Sequence, residues 1–499
     1  MNATRTLAAA VAIAAIGALP LVRAAAQTPA GQPPAGQAPP SKGVVVKGKA
    51  PVSNEILKVK LPRPQEADLP NGLHLMVIED HRAPQVSMQM TIQGAGGLFD
   101  PADAVGLAVF TAANMSEGTA TRTSQQIAQE LEAMASSVSV NTSATSEFAV
   151  LMASSLADNL DRTLDLAADI LLNPSFPDAE LARYKTRQKA QLVQMRSMPQ
   201  FLAAERYGRV MYGDHPAGRV MATADSIDKA THDALVAFHR ARYAPDQTIV
   251  AFVGDITMAE ARKQVEARFG AWKKTGAAIA PVADPAPAGP GRVSLVDRAG
   301  SVQTSLVIGT QAINRTSPDY DAMTLVNTII GGGPTGRLFL NLREQKGWTY
   351  GAYSGLNAPR FRGDWSAQTE IKGDVTDKAV GEILNEVKRL RTELVPEKEF
   401  MDRKRSLVAS FALSLETPAA IMNNYVTSRR YNLPADYWDK YPERMMALTR
   451  EQVQAAAMKY LDPARLQVVA VGDGTKVGEG LKQFGAVEVY DLDGKRKRP

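Results

Sequence analysis

The 499-residue chain contains no cysteine. That absence excludes disulfides, thiolate metal sites, a thiol nucleophile and a lipid-modified N-terminal Cys. Histidine is scarce as well. The five present, His74, His81, His215, His232 and His239, all fall in the first half of the chain. No two of them frame a glutamate as HExxH or HxxEH, so spacing alone spells out no zinc site. His232 and His239 share a predicted helix over 231–243, but they stand seven residues apart. That places them about 10 Å from each other along the axis, too far to ligate one metal. Each histidine therefore reads as a packing or surface residue. The chain also lacks a GxSxG elbow, a Walker loop and a GxGxxG after a strand.

A net excess of charge is nearly absent from the body of the chain once its location is considered. The formal net charge is +5. Arg5 and Arg23 lie in an N-terminal leader and contribute +2, and Lys495, Arg496, Lys497 and Arg498 contribute +4, which leaves the body near −1. A nucleic-acid binder spreads basic charge over a folded face, so nucleic acid is not an expected partner. The basic tail, residues 491–499, reads as a solvated end.

With 45% hydrophobic and 22% charged residues, 37 Gly and 30 Pro, the rest is ordinary globular composition. Residues 1–26 combine Arg5, an apolar run from Leu7 to Val22 and the small-residue pattern Ala24-Ala25-Ala26, and read as a cleaved export signal. Residues 27–55, rich in Pro, Gly, Gln and Ala, form a tether. No later stretch is apolar for long enough to span a bilayer. The mature chain is expected to be exported, periplasmic or secreted, and soluble.

A second Pro/Ala/Gly stretch within 276–292 divides what remains into halves at 56–275 and 293–490. The halves repeat one another. The first closes with a helical run, a Pro-marked turn, the apolar strand Thr248–Val253 and Gly254-Asp255. The second closes with a helical run, Asp462-Pro463, the apolar strand Leu466–Val471 and Gly472-Asp473. The openings match too. Gln85–Ile92 alternates as a half-buried strand before a Gly-rich turn and a helix, and Gln303–Gly309 leads to a helix near Tyr320. Strands and long helices in duplicate argue for α/β or α+β halves.

Two segments carry candidate chemistry. Gly331-Gly332-Gly333-Pro334-Thr335-Gly336 follows a helical stretch and lacks the Lys-Ser/Thr of a phosphate loop, so it reads as a turn where a chain can pass close to the backbone. Downstream, a helix carries Arg343, Gly347 stops it, and Tyr350 begins an extended segment. Turning back at Gly347 can bring a guanidinium and a phenol to one pocket. Together they offer strong donors to a peptide carbonyl or a developing oxyanion, although Arg343 pairing with a carboxylate is an equally available structural role.

At these residues the chain resembles the insulinase/pitrilysin family of zinc metallopeptidases, in the branch that includes mitochondrial processing peptidase. Members carry the phrase G-L-A-H-F-x-E-H-M-x-x-x-G-T, which here reads Gly106-Leu107-Ala108-Val109-Phe110-Thr111-Ala112-Ala113-Asn114-Met115-Ser116-Glu117-Gly118-Thr119. Val109 and Ala113 stand at the histidine ligands and Ala112 at the catalytic glutamate. Val and Ala side chains neither bind zinc nor move a proton. The run Gln188–Met195, where the family's last Glu ligand is expected, holds no carboxylate. No metal or cofactor is therefore expected in this chain.

The second-half phrase points the other way. Arg343 and Tyr350 match the family's substrate-holding pair in residue type and spacing. In the two-subunit branch one chain supplies zinc and another supplies this pair. The resemblance implies an α+β fold of two homologous α/β-roll halves, each a tandem of two related domains, joined by the linker into a clamshell. It implies a non-catalytic subunit that lends Arg343 and Tyr350 to a homologous HxxEH-bearing zinc peptidase partner acting on a peptide or protein substrate. It further implies that substrate adds to the edge strand Ser137–Ser143, which places Val140 and Asn141 beside it together with Gly331, Gly332 and Gly333. A peptide-binding or scaffold protein of the same fold is the alternative.

Overall fold

The computed structural model describes residues 55–276 and 278–497. The export signal and nearly all of the tether, through residue 54, lie outside the described residues. Among the described residues no helix is long and apolar enough to cross a membrane.

Twelve strands form two sheets. The first contains β1 (Gln65–Asp68), β2 (His74–Glu79), β3 (Gln85–Gln93), β4 (Ser137–Asn141), β5 (Phe148–Leu156) and β6 (Thr248–Gly254), in the order β1-β2-β6-β3-β5-β4. The second contains β7 (Val293–Asp297), β8 (Gln303–Gln311), β9 (Thr349–Asn357), β10 (Asp364–Lys372), β11 (Gln467–Gly472) and β12 (Val487–Tyr490), in the order β12-β7-β11-β8-β10-β9. Strand for strand, β2 pairs parallel with β6 as β7 does with β11. The antiparallel chain β6-β3-β5-β4 is repeated as β11-β8-β10-β9. Only the outermost strand breaks the repeat: β1 is antiparallel to β2, whereas β12 is parallel to β7.

The mixed α+β architecture agrees with the expectation, with one correction. The strands of each half all hydrogen-bond into one six-stranded sheet, so neither half is itself a tandem of two domains. The duplication lies between the halves.

Alternation explains how each sheet is covered. Val86, Met88, Met90 and Ile92 of β3 point into one core with Ala149, Leu151 and Ala153 of β5, while Gln85, Ser87, Gln89 and Gln93 face away. Strands β6 and β11 instead are buried along nearly their whole length, which matches their unbroken apolar sequences. Their second face is covered by a helix from the opposite half. The helix Pro199–Tyr212 lies across β11 and β8, placing Phe201 and Leu202 in one cluster with Val307, Val469 and Val471. Reciprocally, the helix Pro418–Tyr431 lies on β6, where Met422, Tyr425 and Val426 pack on Ile249 and Ala251. Each half thus completes the other's core.

The segment between the halves is tied down at several points. His215 Nε2 contacts the Ala283 carbonyl at 2.9 Å, and the Arg362 amide donates to Asp284 at 2.7 Å. Gln311 donates to the Ala286 carbonyl at 2.7 Å.

Candidate functional site

The degenerate zinc phrase folds as the helix Leu107–Asn114 and the turn after it. Gly106 enters the helix at φ +96°, where an added Cβ would stand 2.7 Å from the Ala222 methyl. Asp100 anchors the entry. Its carboxylate accepts from the Gly106 amide at 2.7 Å and from the Ala108 amide at 2.8 Å. With only 6% of its surface exposed, burial pushes the Asp100 carboxyl up to about 6, against the opposing pull of those two amides.

On this helix Val109 and Ala113 are half-buried and Ala112 is buried in the core. The helix Asp178–Arg196 runs alongside, with Tyr184 edge-on to Phe110 at 5.0 Å. Arg187 lies over the Tyr184 ring at 5.5 Å and reaches Glu117 at 3.8 Å. The carboxylates of this second helix, Asp178 and Glu180, are confined to its first turn. Among the described residues no group of three or more His, Cys, Asp or Glu could hold a metal. Zinc does not fit at this helix pair, because the first helix offers hydrocarbon where ligands are needed and its neighbour contributes an aromatic ring and a cation.

The histidines are engaged elsewhere. His74 contacts Asp68 and Glu66, and His81 contacts Asp255 and Glu79. His232 sits beside Asp233 on the surface, while His239 bonds the Leu171 carbonyl and stacks on Tyr243.

In the second half, a short α-turn Arg337–Phe339 widens into a π-helical turn over Leu340–Gln345, closed by Lys346 N–H to the Asn341 carbonyl at 3.1 Å. Such turns are rare and concentrate at functional sites. Side chains hold this one in place. Arg337 makes a bidentate pair with Glu399, both contacts at 2.8 Å, and Asn341 donates to Glu382 at 2.9 Å and to Glu386 at 3.2 Å. Gly347 then reverses the chain at φ +62°. The reversal brings Arg343 back to Tyr350, whose carbonyl accepts from Nη1 at 2.5 Å. Nε lies 3.3 Å from Glu344, and the guanidinium sits 5.1 Å from the Phe339 ring centre. Arg343 therefore meets the main chain of Tyr350, a residue 83% exposed.

A β-bulge aims Tyr350. On β10 the register steps from Thr369↔Ala352 to Ile371↔Thr349, so Tyr350 and Gly351 together oppose the single Glu370. Bulges of this kind redirect a side chain next to a functional site. Tyr353 folds back over Gly351, where a Cβ would meet its ring at 2.7 Å, and packs on Phe339 at 5.7 Å.

The glycine turn packs against the same strand. At Gly331 a Cβ would lie 2.5 Å from the Ser354 amide nitrogen, so the chain passing close by is β9 itself. Gly332 backs onto Thr328, and Gly333 faces open space.

Under the internal repeat β9 is the counterpart of β4, and among the described residues both end their sheets with an unpaired outer edge. On β4, Val140 is 5% exposed with its side chain in the core, leaving its main chain for any added strand. Asn141 is exposed and donates to Ser139 at 3.2 Å. Among the described residues no hydrogen bond, ion pair or ring contact joins Arg343 or Tyr350 to Val109, Ala112 or Ala113. Sequence reasoning missed Asp100, Tyr184 and Tyr353. For Asp100 the one available signal was an Asp-Pro turn six residues ahead of Gly106.

Comparisons with known proteins agree with this geometry. Residues 75–225 match the Insulinase (Peptidase family M16) family, and residues 229–407 match the Peptidase M16 inactive domain. An uncharacterized zinc protease of Mycobacterium bovis is 28% identical over 370 residues, covering 72% of this chain and 82% of that protein. One from Mycobacterium leprae is 29% identical over 299 residues, covering 58% of this chain and 65% of that protein. Among solved structures, a peptidase M16 inactive domain from Pseudomonas fluorescens superposes with a TM-score of 0.76 at 29% identity, covering 82% of this chain and 98% of that one. With both matched regions in sequence order and the duplicated fold shared, this chain belongs to the insulinase family, peptidase family M16.

Proposed function

We propose that the chain is the non-catalytic, substrate-positioning subunit of an exported heterodimeric zinc endopeptidase. The observation that carries this reading is a contrast within one molecule. Val109, Ala112 and Ala113 offer neither a ligand nor a base, while Arg343 and Tyr350 are displayed together at an exposed sheet edge. The zinc and the proton-transferring glutamate belong to a homologous HxxEH-bearing partner. This chain contributes two donors. Tyr350 extends its phenol beyond the edge of β9, and Arg343, fixed through Nη1, keeps Nη2 without a hydrogen-bond partner among the described residues. Donors held in place before the reaction stabilise charge developing on a peptide carbonyl, and losing one costs about 10²–10³ in kcat.

The extended substrate pairs its main chain with a free sheet edge, with Val140 and Asn141 on β4 and the open side of Gly333 as contacts. Export rests on residues 1–26 and their signal-like pattern. A peptide-binding role without cleavage is the second reading, favoured by the equivalent edge strands β4 and β9, both unpaired on their outer side among the described residues.

The test is purification of the tagged chain from its native host, with mass spectrometry of what accompanies it. A stoichiometric partner of similar size with an intact HxxEH phrase is expected. In that complex Arg343→Ala and Tyr350→Phe should each lower turnover at least about 100-fold while the two chains still copurify. Unchanged turnover in both variants would sink the positioning role. Recovery of the chain alone, with peptide affinity, would favour the second reading.

A further inference from the structure

A cavity of about 430 Å³ lies where the first half, the linking segment and the second half meet. Arg206 and Arg209, near the end of the helix Pro199–Tyr212, form one wall, Asp284 to Ala288 form another, and Arg292 closes it just before β7. Three guanidiniums thus converge on one space.

Their charge is poorly compensated. The Arg209 guanidinium has no hydrogen-bond or ion-pair partner among the described residues. The Arg292 guanidinium donates to the Ala288 carbonyl at 3.4 Å and lies near enough to Glu488 to feel its charge. Arg206 donates from Nη2 to the Tyr490 phenol at 2.7 Å and lies 3.5 Å over its ring, but its buried Nε has no partner. Burial, together with repulsion from Arg209 and Arg292, lowers the Arg206 pKa, and the nearby Tyr490 and Glu488 offset this only in part. Carboxylates near the group, Glu488 beside Arg206 and Arg292 and the lining Asp214 and Asp284, are fewer in free charge than the arginines they face. Asp284 is taken by the Arg362 amide and guanidinium, and Glu488 is shared with Arg496 and the Tyr490 hydroxyl, which leaves Asp214. His215 spends Nε2 on the Ala283 carbonyl, and its Nδ1 accepts from the Ala217 amide.

We propose that this cavity binds a phosphate-class polyanion that bridges the two halves. Guanidinium forks match phosphate oxygens two at a time, and each phosphate group brings about two negative charges. The volume admits more than one such group, so a diphosphate fits the site better than a single orthophosphate. Contacts from Arg206 and Arg209 on one side and Arg292 on the other would stiffen the junction between the halves. This assignment is independent of the role given to Arg343 and Tyr350.

The experiment is a thermal-unfolding titration of the full chain with inorganic pyrophosphate at constant ionic strength, with orthophosphate and sulfate as comparisons. Excluded salts stabilise proteins without a site, but only at high concentration and without saturation. The expected result is a saturable rise in Tm of a few degrees in the low-millimolar range, larger for pyrophosphate than for sulfate, and lost in Arg209→Gln/Arg292→Gln. Both substituted side chains are exposed, and without anion the variant should be at least as stable as the parent because a repulsion is removed. A 31P line-width titration of the unsubstituted chain gives a second, independent reading. An equal rise in the variant, a response that never saturates, or an unbroadened pyrophosphate signal would overturn the proposal.

Discussion

The Tyr207 phenol donates to Oδ2 of Asp364 at 2.8 Å, a hydrogen bond from a helix of the first half to a strand of the second. The other oxygen of the same carboxylate accepts from Tyr212 at 2.5 Å and from Asn357 at 3.1 Å. Asp364 is only 6% exposed, so it is a buried charge satisfied almost entirely by donors, two of them from the opposite half. The exchange of helices is therefore polar at its centre as well as apolar around it. Gly309 leaves the space, since a Cβ there would lie 2.2 Å from the Tyr207 hydroxyl.

Two substitutions separate the contributions at this junction. Tyr207→Phe removes one donor to a charged acceptor and should cost about 1.5–3 kcal/mol. Asp364→Ala strands two buried phenols and should cost more, roughly 3–5 kcal/mol. Denaturant unfolding with the slope held constant measures both. Alkali should act at the same place. Burial, and then the Asp364 charge, hold both phenols well above the usual tyrosine range. The unfolded chain releases these protons near pH 10 and the folded chain does not, so this contribution to stability falls as the pH rises above about 10. Tyr207→Phe/Tyr212→Phe should flatten that fall.

Asp100 provides an acid-range test. Its carboxyl is raised to about 6 in the folded chain, chiefly by burial. Between about pH 4 and pH 6 the folded state therefore holds a proton that the unfolded state has lost, and stability declines as the pH rises through that window. Asp100→Asn removes the titration, so the slope of stability against pH over this range should shrink. An unchanged slope would show that the two amides at Gly106 and Ala108 dominate burial at this carboxylate.

How legible these features were depends on whether their cause is local. Thr248–Val253 and Leu466–Val471 read as fully buried strands because covering both faces demands an unbroken apolar run, and both are such strands. Gln85–Ile92 alternates because one face is core and the other is not. Arg343 and Tyr350 were readable as a pair because Gly347 turns the chain within seven residues. The bulge at Tyr350-Gly351 was not, since it exists only in the register between β9 and β10. Nor was Asp364, whose two tyrosine donors lie 157 and 152 residues away in sequence. The expected tandem within each half failed for the same reason. Strand count per sheet follows from long-range pairing, and no local pattern records it.

Gly331→Ala tests whether the glycine turn sets the position of Tyr350. The methyl would stand 2.5 Å from the Ser354 amide nitrogen and 3.0 Å from the Tyr353 carbonyl carbon, both main-chain atoms that cannot rotate away. Either the turn or β9 must shift. The turn is tethered, because Arg403 donates to both the hydroxyl and the carbonyl of Thr335, and Arg337 is locked to Glu399. The weaker side is β9, an edge strand paired only with β10 and already bulged three residues before Tyr353. The expected outcome is a stability loss of about 1–3 kcal/mol together with faster amide exchange along Tyr350–Ser354. In the assembled peptidase, turnover should drop although Arg343 and Tyr350 are unchanged in sequence. Gly355→Ala on the same strand is the matched control, since no atom lies within 4 Å of its Cβ position and its backbone is ordinary extended strand. Amide exchange along Tyr350–Ser354 no faster than in the parent, with equal turnover for the two alanine variants, would mean that the turn does not govern the edge.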